Sequence, residues 1–167
     1  MFDINQHVMY GATGVCRVLK IGKPDFSDDE ERLYYFLEPV YQQGIIYAPV
    51  DSDRVCIRPV ISGDEAKELL DSIDEIHTEI YKSSSMQQLS AHYQKIIDTH
   101  CCRDLLSLTK SLYSKHMDAL RNNKKLGQID KRFMKKAEDL LYGEVAVALH
   151  VEKAEVEEYV HNKLEEE

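Results

Sequence analysis

Residues 33–50, Leu-Tyr-Tyr-Phe-Leu-Glu-Pro-Val-Tyr-Gln-Gln-Gly-Ile-Ile-Tyr-Ala-Pro-Val, decide how the first part of the chain folds, because two apolar and aromatic runs flank the turn-like Gln42-Gln43-Gly44. Tyr, Phe, Ile and Val suit a pleated, half-buried surface, and Gly44 supplies the backbone freedom of a hairpin turn, so both runs are predicted strands. Pro49 has no N–H to give to a ladder, which ends the strand at 45–50 or sets it along a sheet edge. An apolar edge invites pairing with another chain. Two uses stand open: a core hairpin with no outside role, or a docking edge. In the second, a partner's backbone extends the sheet and side chains such as Tyr47 supply selectivity.

Outward from this hairpin, Val8 to Tyr10 and Val15 to Ile21 read as strands joined at Gly11-Ala12-Thr13-Gly14, and Arg54-Val55-Cys56-Ile57-Arg58-Pro59 reads as a last short one. The glycines are turn punctuation and not a phosphate cradle, since no helix pattern follows them and no Gly-Lys-Ser/Thr ending is present. A polar loop at 22–31 carries one large apolar residue, Phe26. Five short strands within about sixty residues predict a small, strongly bent antiparallel sheet or barrel.

At Ser62 the apolar period changes from two to 3.6. Ser62 and Glu65 form a capping box ahead of Ala66, Leu69, Leu70, Ile73 and Ile76, and Ser85 with Gln88 forms a second ahead of Leu89, Tyr93, Ile96 and Ile97. Leu105, Leu108, Leu112, Tyr113, Met117 and Leu120 mark a third helix, ended near Asn122-Asn123 and Gly127. Asp130 is placed to cap a fourth running through Ala148, and Val156, Val160 and Leu164 mark a short acidic fifth. The expected fold class is segregated α+β: a small antiparallel β module over residues 1–61, then an all-α bundle of about five helices over residues 62–167.

The chain has 167 residues, a hydrophobic content of 43% and a formal charge of −9. No apolar run is long enough to span a bilayer and the N-terminus has no basic-then-apolar leader, so a cytoplasmic protein is expected. Cys16, Cys56, Cys101 and Cys102 fit that compartment as reduced thiols. The charge is unevenly spread. Residues 1–77 carry 7 basic against 15 acidic side chains, residues 78–136 carry 12 against 5, and the remainder 2 against 10. The middle is a basic island, able to bind phosphates locally because charges beyond roughly 8 Å are screened at physiological salt.

That island is sharpest at Arg121, Lys124, Lys125, Lys131, Arg132, Lys135 and Lys136. Lys131 with Lys135 and Arg132 with Lys136 are i, i+4 pairs, so like charges stack along one helix face; a phosphate backbone would relieve their repulsion, and the competing reading is a solvated face. His100-Cys101-Cys102, with His92 and His116, is the one metal-like cluster, but adjacent cysteines on a helix diverge and the Cys-x-x-Cys spacing is missing. Neither a metal nor another cofactor is expected. The sequence lacks Gly-x-Ser-x-Gly, His-Glu-x-x-His and Walker motifs, so no enzyme is expected.

Phe2 with Val8-Met9-Tyr10, Gly14-Val15, Tyr34-Tyr35-Phe36-Leu37, Ile46-Tyr47-Ala48-Pro49-Val50, Arg58-Pro59-Val60-Ile61-Ser62 and, later, Leu126, Lys131-Arg132, Ala137, Leu140-Leu141, Glu144 and Ala146 together resemble the CarD/CdnL family of bacterial transcription regulators. The resemblance implies a Tudor-like, SH3-like N-terminal module of the kind shared with the transcription-repair coupling factor, which docks on the RNA polymerase β subunit by extending a sheet. It implies Tyr47, Ile46, Ile45, Lys23 and Phe26 as the polymerase-binding residues. It further implies that the helical domain contacts promoter DNA through minor groove and backbone, without sequence readout, and modulates open-complex stability at ribosomal RNA and other housekeeping promoters. Family members often carry a wedging Trp in the segment matching residues 88–93; this chain has no Trp, and Leu89 stands in that place. The family's basic patch falls on Lys131 and Arg132, with Lys124, Lys125, Lys135 and Lys136 as neighbours. The rival reading is a protein–protein adaptor on polymerase with no DNA role. A monomer is expected, with dimerisation through the exposed strand edge as the alternative.

Overall fold

In the computed structural model, which describes residues 1–166, the strand-forming runs before residue 62 become β1 (His7–Tyr10), β2 (Gly14–Gly22), β3 (Tyr34–Pro39), β4 (Ile46–Pro49) and β5 (Ile57–Pro59). They form one antiparallel sheet in the order β4-β3-β2-β1-β5. β2 is the spine. Its first half pairs with β1, and most of its length pairs with β3 across a register shift between Val18 and Lys20 that bends it. Gly11, at φ +46°, makes the β1–β2 turn in a conformation that strains other residues, and its N–H donates to the Cys56 carbonyl at 2.8 Å.

The two outermost strands share one core. Val8, Cys16, Val18, Tyr35, Leu37 and Ala48 are buried together, and both Ile46 of β4 and Ile57 of β5 pack against them. In a flat sheet those strands would lie about 19 Å apart at about 4.8 Å per strand step, so the sheet curls around its core. Burial also pushes the Cys16 thiol up to about 11.

From Ser62 onward the chain is a separate compact unit of five helices: α1 (Gly63–Asp71), α2 (Met86–Ile97), α3 (Cys102–Arg121), α4 (Gln128–Leu149) and α5 (Lys153–Glu165). The segregated five-strand and five-helix arrangement is the fold class the two sequence periods predict. Ser62 and Ser85 accept from the N–H groups of Glu65 and Gln88 at 3.1 and 3.3 Å, as helix caps do.

Two local expectations are corrected. The first helix does not run through Ile76. The Ser72 hydroxyl donates to the Leu69 carbonyl at 2.7 Å, α1 ends, and a 3-10 turn at Ile73–Glu75 leads into non-helical chain up to Ser85. Ile73 and Ile76 are still buried. Nor does Asp130 cap α4: Gly127 holds that position, and Asp130 lies buried in the first turn with partners on α2 and α3.

Candidate functional site

Among the described residues β4 pairs with β3 alone, so its other edge is open. The Val50 N–H donates to the Leu33 carbonyl at 3.0 Å, and the ladder continues with Ala48 opposite Tyr35 and Ile46 opposite Leu37. In an antiparallel pair the bonding alternates, so the N–H and C=O of the intervening Tyr47 point away from β3, along the open edge. Pro49, next in that outward set, has no N–H to offer.

The same alternation sorts the side chains. Ile46 turns toward the core, while Ile45 and Tyr47 are exposed. On the outer face Tyr47 meets the Phe36 ring edge-on at 4.9 Å, and Phe26 reaches from the β2–β3 loop to meet Tyr47 at 5.0 Å and Tyr34 at 5.9 Å. Phe26 remains 63% exposed. Two cations border this platform, the Lys20 ammonium 5.2 Å from the Phe36 centroid and the Arg32 guanidinium 5.6 Å from Tyr34, while Lys23, in the β2–β3 loop, pairs with Glu30 at 3.8 Å. Tyr47 and Phe26 thus share one apolar surface beside the open edge, and Ile45 is exposed just before β4, two residues from Tyr47; Ile46 turns toward the core. Sequence reasoning missed Tyr34 and Phe36, whose place follows from period two once the strand register is known.

In the helical unit, α4 and the loop before it carry the expected cations. Lys124, Lys125, Lys131, Arg132 and Lys135 are exposed and Lys136 is half-buried. Arg132 and Lys136 lie against the Phe133 ring, 4.9 and 5.8 Å from its centroid, and reach α2, where Arg132 donates to the Ser90 hydroxyl at 3.5 Å and Lys136 to the Gln94 side-chain carbonyl at 3.3 Å. Met86, Ser90 and Gln94 are spaced i, i+4, so one row of α2 runs beside one basic row of α4. Lys135 pairs with Asp139 at 3.5 Å.

Leu89 is buried, at 8% exposure, and contributes to the helical core. A side chain that inserts between bases has to stand on the surface, so in this fold Leu89 is a packing residue. The exposed apolar side chain nearby on α2 is Met86, two residues before that segment and 69% exposed at the first position of the helix. No sequence signal separates the two, since both are apolar and three apart.

A buried polar knot fixes the start of α4. The Tyr93 hydroxyl donates to Asp130 Oδ1 at 2.6 Å, and the Lys115 ammonium donates to the same oxygen at 2.9 Å and to the Tyr81 carbonyl at 3.0 Å. Burial, then the hydrogen bond to Asp130, pushes the Tyr93 phenol up. Tyr81 stacks on His92, with centroids 3.7 Å apart. Burial first, then Lys95, holds the His92 imidazole below its ordinary value.

The His100-Cys101-Cys102 cluster does not assemble. Cys101 is exposed, Cys102 is buried with its thiol donating to Glu144 at 2.7 Å, and His92 is stacked on Tyr81. Among the described residues, no helix is long and apolar enough to cross a membrane.

The open β4 edge and its aromatic platform belong to a unit with a recognisable family. Residues 2–61 match the CarD-like/TRCF RID domain family. The N-terminal unit is a CarD-like/TRCF RID domain. It is an RNA polymerase-interacting domain, which makes this an RNA polymerase-interacting, transcription-related protein, and the RID family is one of interaction domains. The RID match ends at Ile61, where the β unit ends, and leaves the five helices outside it. No curated protein matches the chain.

Proposed function

We propose that the protein is a non-enzymatic, monomeric transcription regulator that docks on the RNA polymerase β subunit through β4 of its RID domain. From there it lays the α2–α4 face of its helical unit on promoter DNA, modulating open-complex stability at ribosomal RNA and other housekeeping promoters. The observation that carries the reading is the open β4 edge of a RID domain, with the Tyr47 backbone groups directed outward beside the platform of Tyr47, Phe36, Phe26 and Tyr34. A partner strand added there gains main-chain hydrogen bonds from the edge and selectivity from the rings.

The DNA half is supported by the rows of Lys131 with Lys135 and Arg132 with Lys136, by Lys124 and Lys125 in the preceding loop, and by the exposed Met86 beside them. Phosphate contacts position a protein on a duplex without reading its sequence, and an apolar side chain can wedge at a base step. Tethering makes weak contacts sufficient, because the polymerase-bound helical unit sees the promoter at a high effective concentration.

The test is a reconstituted promoter reaction. Tyr47→Glu, which adds a charge to the docking edge, should abolish both polymerase binding and the promoter effect. Lys131→Glu with Arg132→Glu should weaken the promoter effect and spare polymerase binding. Crosslinking of the helical unit to promoter DNA should fall as salt rises. Full promoter activity of the double charge reversal would favour the adaptor without a DNA role.

A further inference from the structure

The geometry points to a binding site for one divalent transition-metal ion, of the Zn2+ class, between α4 and α5 at Glu138, Glu157 and His161. One ligand atom from each of these residues lies within 4.8 Å of the other two. Glu138 is on α4, while Glu157 and His161 are one turn apart on α5, so the packing of the two helices closes the group.

The spacing favours a shared ion over a direct bond. His161 Nε2 is 3.8 Å from Glu138 Oε1 and, although buried, has no hydrogen-bond partner. A ring N–H donating to a carboxylate would sit at about 2.7–3.2 Å. Two ligands of a tetrahedral zinc ion, each about 2.1 Å from the metal, lie about 3.4 Å apart. The two atoms therefore need to close only slightly around an ion, and the exposed Glu157 side chain is free to swing in as the third ligand.

A second observation points the same way. Tyr142 is 1% exposed, its hydroxyl is buried without a partner, and its ring stands edge-on to His161 at 6.3 Å. The carboxylates of Glu138 and Glu157 both act on that hydroxyl electrostatically. Once the carboxylates bind a cation, the phenol O–H becomes an outer-shell donor to one of them, the partner that orients a ligating carboxylate. The chain from residue 137 onward holds 2 basic and 10 acidic side chains, which adds an attractive field for a cation. One imidazole with two carboxylates suits zinc, manganese or iron, whereas magnesium prefers an all-oxygen octahedral shell.

The test is calorimetric titration of the untagged full-length chain with Zn2+, after alkylation of the exposed Cys56 and Cys101 thiols. One equivalent should bind and Mg2+ should not compete. Glu157→Gln, at an exposed position that leaves the fold intact, and His161→Gln should each weaken binding by about tenfold or more. Tyr142→Phe, a positioning variant, should keep the stoichiometry and lose less. Absence of saturable Zn2+ binding overturns the site, and so does binding that Glu157→Gln and His161→Gln leave unchanged.

Discussion

The Tyr93 hydroxyl and the Asp130 carboxylate, 37 residues apart in the chain, meet at 2.6 Å, and Lys115 closes on the same oxygen. This contact ties the first turn of α4, from which the cationic rows rise, to α2 and α3. Tyr93→Phe removes one donor but leaves the ion pair, and should cost about 1–3 kcal/mol in urea unfolding. Lys115→Met strands a buried carboxylate and should cost more, about 3–5 kcal/mol. No loss in Tyr93→Phe, which keeps the ring, would mean that Tyr93 contributes through its ring contacts alone.

Phe26 and Tyr47 meet edge-on at 5.0 Å although the first belongs to a loop and the second to the edge strand. Phe26→Ala should therefore leave the RID domain folded and weaken polymerase binding by about tenfold, the scale of an aromatic pair together with lost contact area. Surface-plasmon measurements against core polymerase check this, and unchanged affinity would remove Phe26 from the docking surface.

Met86 and Leu89 should separate cleanly. Leu89→Ala opens a cavity in the helical core and should lower stability by about 2–5 kcal/mol. Met86→Ala, at an exposed position, should change stability by less than about 0.5 kcal/mol. The same variant should shorten the lifetime of the open complex in a competitor-challenge assay. An unaltered lifetime would leave the basic rows as the sole DNA contact.

His92 gives a pH dependence of known sign. Its folded value is held below the ordinary 6.5, so the unfolded chain binds the proton more readily. The stability that neutral His92 contributes is complete above about pH 6.5 and is lost as the pH falls through the lowered folded value. His92→Phe keeps a ring against Tyr81 and cannot protonate. Urea midpoints measured downward from about pH 7 should fall less steeply in the variant than in the wild type.

Much of the fold was legible in the sequence because its signals are local. Period two, then period 3.6 from Ser62, separates five strands from five helices, and Pro49 marks β4 as an edge since a missing N–H acts at its own position. The clustered cations from Lys124 to Lys136 are equally local, being consecutive turns of one helix and the loop before it.

The remainder depends on which residues meet across the chain. Period 3.6 places Met86 and Leu89 on α2 but cannot say which one the neighbouring helices cover; packing buries Leu89 and leaves Met86 out. Asp130 reads as a helix cap until Tyr93 and Lys115 claim its carboxylate, and α1 reads as longer until Ser72 turns its hydroxyl back on the Leu69 carbonyl. The meeting of Phe26 with Tyr47, and of Glu138 with His161, likewise needs strand register and helix pairing. The periods, the edge and the charge can be read along the chain because residues near one another set them. Tertiary structure alone decided which side chains share a surface, because burial is a property of contacts between distant segments and no local pattern encodes them.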